Sequence, residues 1–410
     1  VGARRDRATR EPAAPLSGGQ PGGGGAGGGG GVTRRYSPAD LPVVVVAFNR
    51  PAYLRRSLTA LLEARGVVRE MITVCQDGHD AGVAAVAAEL NVRLVQHERA
   101  AGAVEAAARI AAHYGAVLAG TFERHPNARF AIILEEDLVV AEDALEYFAG
   151  MAPVMDLDPS VYCVSAYNDN GLAHLAHDPS MVYRTEWFVG LGWLASRALF
   201  ENEWKPEWPQ THWDHWLRQD AVRKGRECLY PEVARDVHIG EVGANMDALH
   251  FKRYDGRIKL HLPLEDVTPA HLPPPEALEA GAYEATLEKM VASGRVVHDP
   301  AELDSSSSSP ESCDAPAVLY YQAGLASAEG NAAGRIDAAS PWKPISNFFG
   351  LWHEPRRGIH RGMHRLHYKK RCVLLIDAAS GYALRHRPPD VVPITGQRFG
   401  AAVWERISKA

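Results

Sequence analysis

From Leu41 to about residue 154, short apolar runs alternate with longer stretches of helical periodicity. Val43 to Phe48 is a continuous run of mostly β-branched residues, the pattern of a parallel strand buried on both faces. Asn49-Arg50-Pro51 then turns into a helix, and Pro51 suits its first position because no helical partner awaits that N–H. Met71 to Cys75 and Val92 to Gln96 read as further strands. The Ala-rich stretch 103–122 reads as a helix, Phe130 to Leu134 as another buried strand, and 142–154 as a helix again. Strands and helices in strict alternation predict an α/β domain around a mostly parallel sheet.

The pattern changes on either side. Gly18 to Gly31 is nearly all glycine and cannot bury enough surface to fold, so residues 1–40 read as a disordered stem or tail. Residues 155–260 are rich in tryptophan. Residues 268–315 lose periodicity and contain Pro273 to Pro275 and Ser305 to Ser309, which predicts a loop-rich linker with one short helix near 276–292. A smaller unit, 316–410, contains the strand-like Val373 to Ile376.

Composition narrows the class. Hydrophobic residues make up 46% of the 410 positions, enough for a large core. The formal net charge of -6 gives no general attraction to nucleic acid or anionic membranes. Five cysteines over this length are too few for a disulfide scaffold. No apolar run reaches the length of a membrane span. The glycine tract follows no strand, so it is not a dinucleotide fingerprint, and neither a phosphate-binding P-loop nor a Gly-x-Ser-x-Gly elbow occurs.

Ligands of open α/β sheets bind beyond the carboxyl ends of the strands. Three strands end there in polar residues: Arg50 after the first, Asp77 after the second, and Glu135-Glu136-Asp137 after the last. Arg50 can meet a phosphate or hold a carboxylate. Asp77 can accept hydrogen bonds from a base or ribose. The acidic triplet can hold a hard divalent cation, or be no more than a solvated turn. Trp213-Asp214-His215-Trp216 places a carboxylate between indoles, where dryness would raise its pKa toward useful base strength. The bland alternative is the start of a surface helix. His360, His364 and His367 sit at helical spacing among seven Lys or Arg between Arg356 and Arg371, which reads first as a basic solvated face and only second as a zinc or nucleic-acid site.

Taken in series, VVVVAFNRPAYLRRSL, MITVCQDGHD, FAIILEEDLVVAEDALEYF, YCVSAYNDNG, YRTEWFVGLGW, WDHWLR and KGRECLYPEVARDVHIGEVGANM resemble the N-acetylglucosaminyltransferase I family. The resemblance runs in order from about 41 to 262. It implies a GT-A-type nucleotide-sugar transferase fold with its catalytic domain at 41–267. It further implies inverting transfer of GlcNAc from UDP-GlcNAc, with Mn2+, in β-1,2 linkage to an α-mannose of a glycoprotein. LWHEPRRGIHRGMHRLHYKKRCVLL and PPDVVPI in the C-terminal unit look more like the members that act on O-linked mannose, which favours that acceptor over the mannose of an N-glycan. A degenerate, non-catalytic carbohydrate-binding protein is the alternative from another class. A lumenal Golgi location, with a membrane anchor outside this sequence, is expected from the family, and nucleic acid is not an expected partner.

Residue by residue, the resemblance makes Asp137 the metal ligand, and Arg50, Asp77, His113, Glu135, Glu136 and Asn245 donor-binding residues. It makes Asp214 the catalytic base and Trp213, Trp352 and Arg357 acceptor-binding residues. It pairs Cys163 with Cys228. Phe48 and Gly78 stand where family members have another bridge, and Phe348 stands where a partner for Cys313 is expected, so Cys313 is expected to be free.

Overall fold

Four parallel strands form one half of the central sheet, and the sequence explains each of them. In the computed structural model, β1 (Val43–Ala47) is built of four valines and an alanine and is buried almost throughout. It lies between β2 (Ile72–Asp77) and β4 (Phe130–Glu135), parallel to both, and β3 (Arg93–His97) continues the sheet beyond β2. Helix α1 (Pro51–Glu63) starts on Pro51 and buries Leu54, Ser57, Leu58 and Leu61, one stripe of its surface. Helix α2 (Ala81–Glu89) is capped by the Asp80 carboxylate, which accepts from the Val83 N–H. Helix α3 (Ala106–Arg124) and helix α4 (Ala144–Leu157) complete the alternation.

The structure describes residues 34–99, 105–241, 248–262, 269–304, 313–322, 341–353, 356–400 and 403. All of them belong to one unit, Arg34–Ala410. Beyond β4 come a short strand β5 (Leu138–Val140), then β6 (Val161–Ser165), β7 (Val182–Thr185), β8 (Trp193–Ser196) and β9 (Glu227–Pro231). The eight-stranded sheet has the order β3-β2-β1-β4-β8-β6-β9-β7. Chain direction reverses at β8, which pairs antiparallel with both β4 and β6. The next strand, β10 (Asp236–His238), pairs antiparallel with β5 and brings His238 opposite Leu138, one residue after Asp137.

A second sheet follows: β11 (Arg295–Val296), β12 (Ala317–Gln322), β13 (Ile359–His360), β14 (Met363–Tyr368) and β15 (Arg371–Asp377), with β16 (Ile394–Thr395) paired to β12. Its apolar residues join the same buried clusters as those of the first sheet, so the two sheets share core. The stretch 268–315 is more than a linker. Its helix Ala280–Ser293 buries Tyr283, Leu287, Met290 and Val291, and β11 is an edge of the second sheet. Order also begins before Leu41: the Tyr36 hydroxyl donates to Asp156 at 2.5 Å, and Pro38–Asp40 is a helical turn. Among the described residues no helix is long and apolar enough to cross a membrane.

The basic histidine segment is corrected by the structure. It forms β13 and β14, not a helix, and His360 and His364 are buried. His364 stacks on Trp342 with ring centroids 4.7 Å apart, and burial pushes its pKa down to about 3. His360 reaches Glu227 at 2.6 Å and Glu284 at 2.5 Å. The expected bridge between Cys163 and Cys228 forms across the parallel pair β6 and β9, with Cα atoms 4.7 Å apart. Cys313 is not free: it is bonded to Cys372. That partner lies at the start of β15, a pairing visible only once β14 and β15 fold against residue 313. Cys75 remains a thiol, and burial pushes its pKa up to about 12, which makes it inert.

A buried ion network ties the first sheet to the helix that precedes the second. The Arg184 side chain is fully buried, and its guanidinium donates to Glu227 and to Asp158 at 2.7 Å each, and to the Leu278 carbonyl at the same distance. Arg184→Ala would leave two buried carboxylates without their shared cation. It is expected to cost about 3–5 kcal/mol in chemical denaturation, and a loss below 1 kcal/mol would show the network to be dispensable.

Candidate active site

The strand order turns at β1. The chain moves from β1 to β2 and β3 on one side, then returns to β4 on the other, and the crevice beyond β1 and β4 is the switch point where such sheets bind ligands. Phe48-Asn49-Arg50 leaves β1 there, and Glu135-Glu136-Asp137 leaves β4.

At that crevice Arg50 joins the acidic residues. Its Nε donates to Glu136 Oε1 at 2.7 Å and its Nη2 to Asp137 Oδ2 at 2.8 Å. Glu136 Oε2 also accepts from the Phe48 N–H at 3.0 Å. Glu136 is buried, and its two oxygens meet Arg50 and the Phe48 N–H. Glu136 fixes Arg50, whose side chain stays 30% exposed and is the group able to meet a phosphate. Asp137 is buried too, and its Oδ2 also receives His238 Nε2 at 3.0 Å. Its Oδ1 is buried and has no hydrogen-bond partner among the described residues. A Cβ added at Gly240 would come within 2.6 Å of Asp137 Oδ2, so only glycine leaves this carboxylate its space. Burial raises the Asp137 pKa, but His238 and Arg50 outweigh it and hold the carboxyl below its ordinary value.

Glu135 faces another way. Its Oε1 accepts from the Tyr114 hydroxyl of α3 at 2.6 Å. Desolvation and the Asp137 charge lift its pKa to about 7. Tyr114 stacks on Trp213 at 4.0 Å, and Trp208 and Trp193 lie nearly parallel to Trp213 beyond. Trp213 is therefore a buried member of an aromatic stack, and the expectation that it stacks on an acceptor sugar is corrected. The signal that misled is general: a tryptophan beside a suspected catalytic residue is more often core.

At the end of β2, Asp77 is paired in register with His97 of β3. His113 of α3 lies behind them. It is buried, its Nε2 donates to the Cys75 carbonyl at 3.1 Å, and its Nδ1 lies 3.3 Å from His97 Nδ1. Both ring nitrogens are thus engaged, one of them with His97, a residue that its sequence context does not mark. Burial and Arg124 hold His97 below its ordinary pKa, which favours the neutral ring, with one nitrogen a donor and the other an acceptor. Gln76 Nε2 donates to the Phe48 carbonyl at 3.0 Å and joins this group to the first.

Asp214 stands on the short helix Trp213–Leu217 and meets Arg218, one turn on, at 2.5 Å. Burial pushes the Asp214 carboxyl up, but Arg218 and His215 more than offset it, and the net shift is downward. The raised pKa expected from its indole neighbours is thus corrected. Arg218 lies over the Trp187 ring at 4.3 Å, and Arg357 lies over the same ring at 5.1 Å. Arg357 also covers Trp352 at 3.5 Å and pairs with Asp169 at 2.5 Å. So Asp214 and the distant pair Trp352 and Arg357 belong to one chain of contacts, built through Arg218 and Trp187. Spacing of four within Trp213-Asp214-His215-Trp216-Leu217-Arg218 could have exposed the ion pair; nothing in the sequence marks Trp187 or His238. Asn245 lies outside the described residues.

A mostly parallel sheet with a buried, partly unpartnered carboxylate at its switch point, a phosphate-capable arginine beside it and a separate ionised aspartate is a GT-A-type nucleotide-sugar transferase fold. A model of the GNT-I family matches residues 30–295, more than half of the sequence, and the chain belongs to that family. An alpha-1,3-mannosyl-glycoprotein 2-beta-N-acetylglucosaminyltransferase of Arabidopsis thaliana is 36% identical over 230 residues, covering 53% of this chain. The chain spans about half the length of that relative, 51%. A mannosyltransferase of Pyrobaculum calidifontis solved with GDP-Man and Mn2+ is 16% identical, with 49% of this chain and 59% of that one covered and a TM-score of 0.31. A glucosyl-3-phosphoglycerate synthase of Mycobacterium tuberculosis is 15% identical, with 39% and 58% covered and a TM-score of 0.25. The preference for O-linked mannose finds no support in the relative's name, and Trp352 and Arg357 lie outside the family match.

The raised Glu135 pKa carries a sign that can be tested on metal-free protein. A carboxyl whose folded pKa is about 7 stabilises the fold below its ordinary 4.5 and loses that contribution as pH rises through 7. Glu135→Gln, which never ionises, is therefore expected to be relatively more stable at pH 8 than at pH 5. The swing should be up to about 2 kcal/mol in paired denaturation curves; an identical difference at both pH values would mean Glu135 titrates normally.

Proposed function

We propose that the protein is an inverting β-1,2-N-acetylglucosaminyltransferase that moves GlcNAc from UDP-GlcNAc to an α-mannose of a glycoprotein. One observation carries the reading: Asp137 sits at the switch point with one oxygen held by Arg50 and His238 and the other buried and unpartnered. An orphaned carboxylate oxygen in that position fits a hard divalent cation, for which Mn2+ is the family's expectation, with Asp137 as its protein ligand. Such an ion, when bound, supplies charge stabilisation for a departing diphosphate.

The chain's own residues do the rest. Arg50, held by Glu136, presents its guanidinium to the diphosphate. Asp77 and His97, backed by His113, line the side where the nucleoside would lie. Asp214 takes the proton of the attacking mannose hydroxyl. Arg218 keeps Asp214 ionised, so the base is ready at every physiological pH, at the expense of some intrinsic basicity. Arg357 holds the acceptor beside it, backed by Trp352, which is buried against Arg357 and Tyr254. The intact Asp137 and Asp214 sites weigh against a non-catalytic carbohydrate-binding protein.

The relative's name, an alpha-1,3-mannosyl-glycoprotein 2-beta-N-acetylglucosaminyltransferase, supports the N-glycan mannose as the first acceptor reading. The O-mannose reading is kept as second because Arg357, from the loop before β13, lies over the Trp187 ring that Arg218 of the Asp214 pair also meets. A lumenal Golgi location goes with either acceptor, and the two disulfides suit an oxidising compartment. Transfer assays with UDP-GlcNAc, Mn2+ and each of the two mannosides in parallel test the proposal. Transfer to neither would overturn it, and the larger kcat/KM names the acceptor.

Two substitutions separate the assigned parts. Asp214→Asn is expected to lower kcat about 10²–10⁴-fold while UDP binding, followed by calorimetry with Mn2+, is unchanged; Asp137→Ala is expected to abolish the Mn2+ dependence of that binding. Arg218→Met should move the acid limb of kcat/KM to higher pH, because the cation that depresses the Asp214 pKa is gone. An unmoved limb would place the base elsewhere.

A further inference from the structure

Far from the switch point, β14, β15 and residue 313 bring together two sulfurs and an imidazole. Cys313 and Cys372 are bonded to each other, and His367 Nε2 lies 3.5 Å from Cys313 Sγ. One donor atom from each of the three residues falls within 4.8 Å of the others. Cys372 is fully buried, whereas Cys313 and His367 are partly open to solvent.

What makes this more than a bridge beside a histidine is the residue behind the ring. His367 Nδ1 lies 2.7 Å from Glu232 Oε2. Glu232 is 2% exposed, and its Oε1 accepts from the backbone N–H groups of His177 and Asp178, while Tyr183 donates to its Oε2. Glu232 accepts from every one of these partners, so His367 donates to it from Nδ1 and turns Nε2 toward the sulfurs. A buried carboxylate that fixes the tautomer and aim of a ligating histidine is the usual support of a zinc ligand.

We propose that Cys313, Cys372 and His367 form a second metal site of this protein, one that takes Zn2+ or a similarly soft divalent ion when the bridge is reduced. A small monothiol, oxidised to its own disulfide as two equivalents, breaks the Sγ–Sγ bond and leaves two thiols. Zn2+ then displaces their two protons to solvent and forms two Zn–S bonds, with His367 Nε2 as the third ligand. Two thiolates and one imidazole are a zinc-type donor set with a fourth position left for water or an incoming ligand. In such a site the sulfurs stand about 3.8 Å apart, as Zn–S bonds near 2.3 Å require. Redox state thus selects between a covalent staple and a metal staple, both joining residue 313 to β15. The proposal does not rest on the transferase reading, since none of its residues belongs to the switch-point site.

The test uses the whole chain carrying Asp137→Ala, which silences the acidic site. Protein reduced with a phosphine and protein left oxidised are each dialysed against Zn2+, and the retained metal is counted. The reduced form is expected to hold one equivalent and the oxidised form none. Co2+ in place of Zn2+ should give the absorption of a thiolate-to-metal charge transfer. Cys313→Ser and His367→Ala should each lose it, and Glu232→Gln should weaken Zn2+ binding about 10–100-fold. Equal retention in the oxidised form, retention unchanged by Cys313→Ser and His367→Ala, or loss of the native circular dichroism on reduction before metal is added would each overturn the proposal.

Discussion

The contact of Arg50 with Glu136 and Asp137 is the constraint on which the rest of the site depends. Two adjacent carboxylates buried at the end of β4 would repel each other and pay heavily for lost water. One guanidinium from the end of β1, together with His238 and the Phe48 N–H, answers most of that charge. What it does not answer is Asp137 Oδ1. The fold therefore closes the crevice between β1 and β4 tightly enough to hold three charged groups, yet leaves one oxygen to be satisfied from outside. On the proposed function, that open oxygen is the one a divalent cation would take.

The same logic of buried charge recurs with different outcomes. Arg184 among Asp158, Glu227 and the Leu278 carbonyl is fully answered, and its consequence is structural: it ties β7 and β9 to the segment ahead of the second sheet. Asp214 and Arg218 form a pair in which both members are within reach of solvent or aromatic faces, which leaves the carboxylate charged and usable. Glu232 lies between, completely answered by four donors yet passing its charge through His367 to a pair of sulfurs. Whether a buried acid holds the fold or does chemistry depends on whether any of its neighbours keeps an open direction.

The second sheet is not an appendage in this arrangement. Trp352 and Arg357 come from the loop before β13; Arg357 lies over both Trp352 and Trp187, and Arg218 lies over Trp187 as well. The shared core of the two sheets gives these contacts a rigid footing. Acceptor choice, on the proposed function, then falls at a junction of which the family match to residues 30–295 includes Trp187 and Arg218 but not Trp352 and Arg357.

The sequence by itself determined the alternation of strands and helices from Val43 to Leu157, because β-branched runs and helical stripes are local patterns with fixed periods. It also put Arg50, Asp77 and Asp137 at strand ends, since the last polar residue of a buried parallel strand must emerge at its edge. The motif series placed Asp214. Only the tertiary structure decided how these charges are answered: that Glu136 is spent on Arg50, that Trp213 is core, that His113 meets His97, and that Arg218 lowers the Asp214 pKa where indoles alone would raise it. It likewise turned the basic histidine segment into a hairpin and paired Cys313 with Cys372. Several of these join residues far apart in the chain, 16 positions for His97 and His113, 59 for the two cysteines and 86 for Arg50 and Glu136, and others turn on whether a side chain is dry; neither distance in space nor access to water is written in local periodicity.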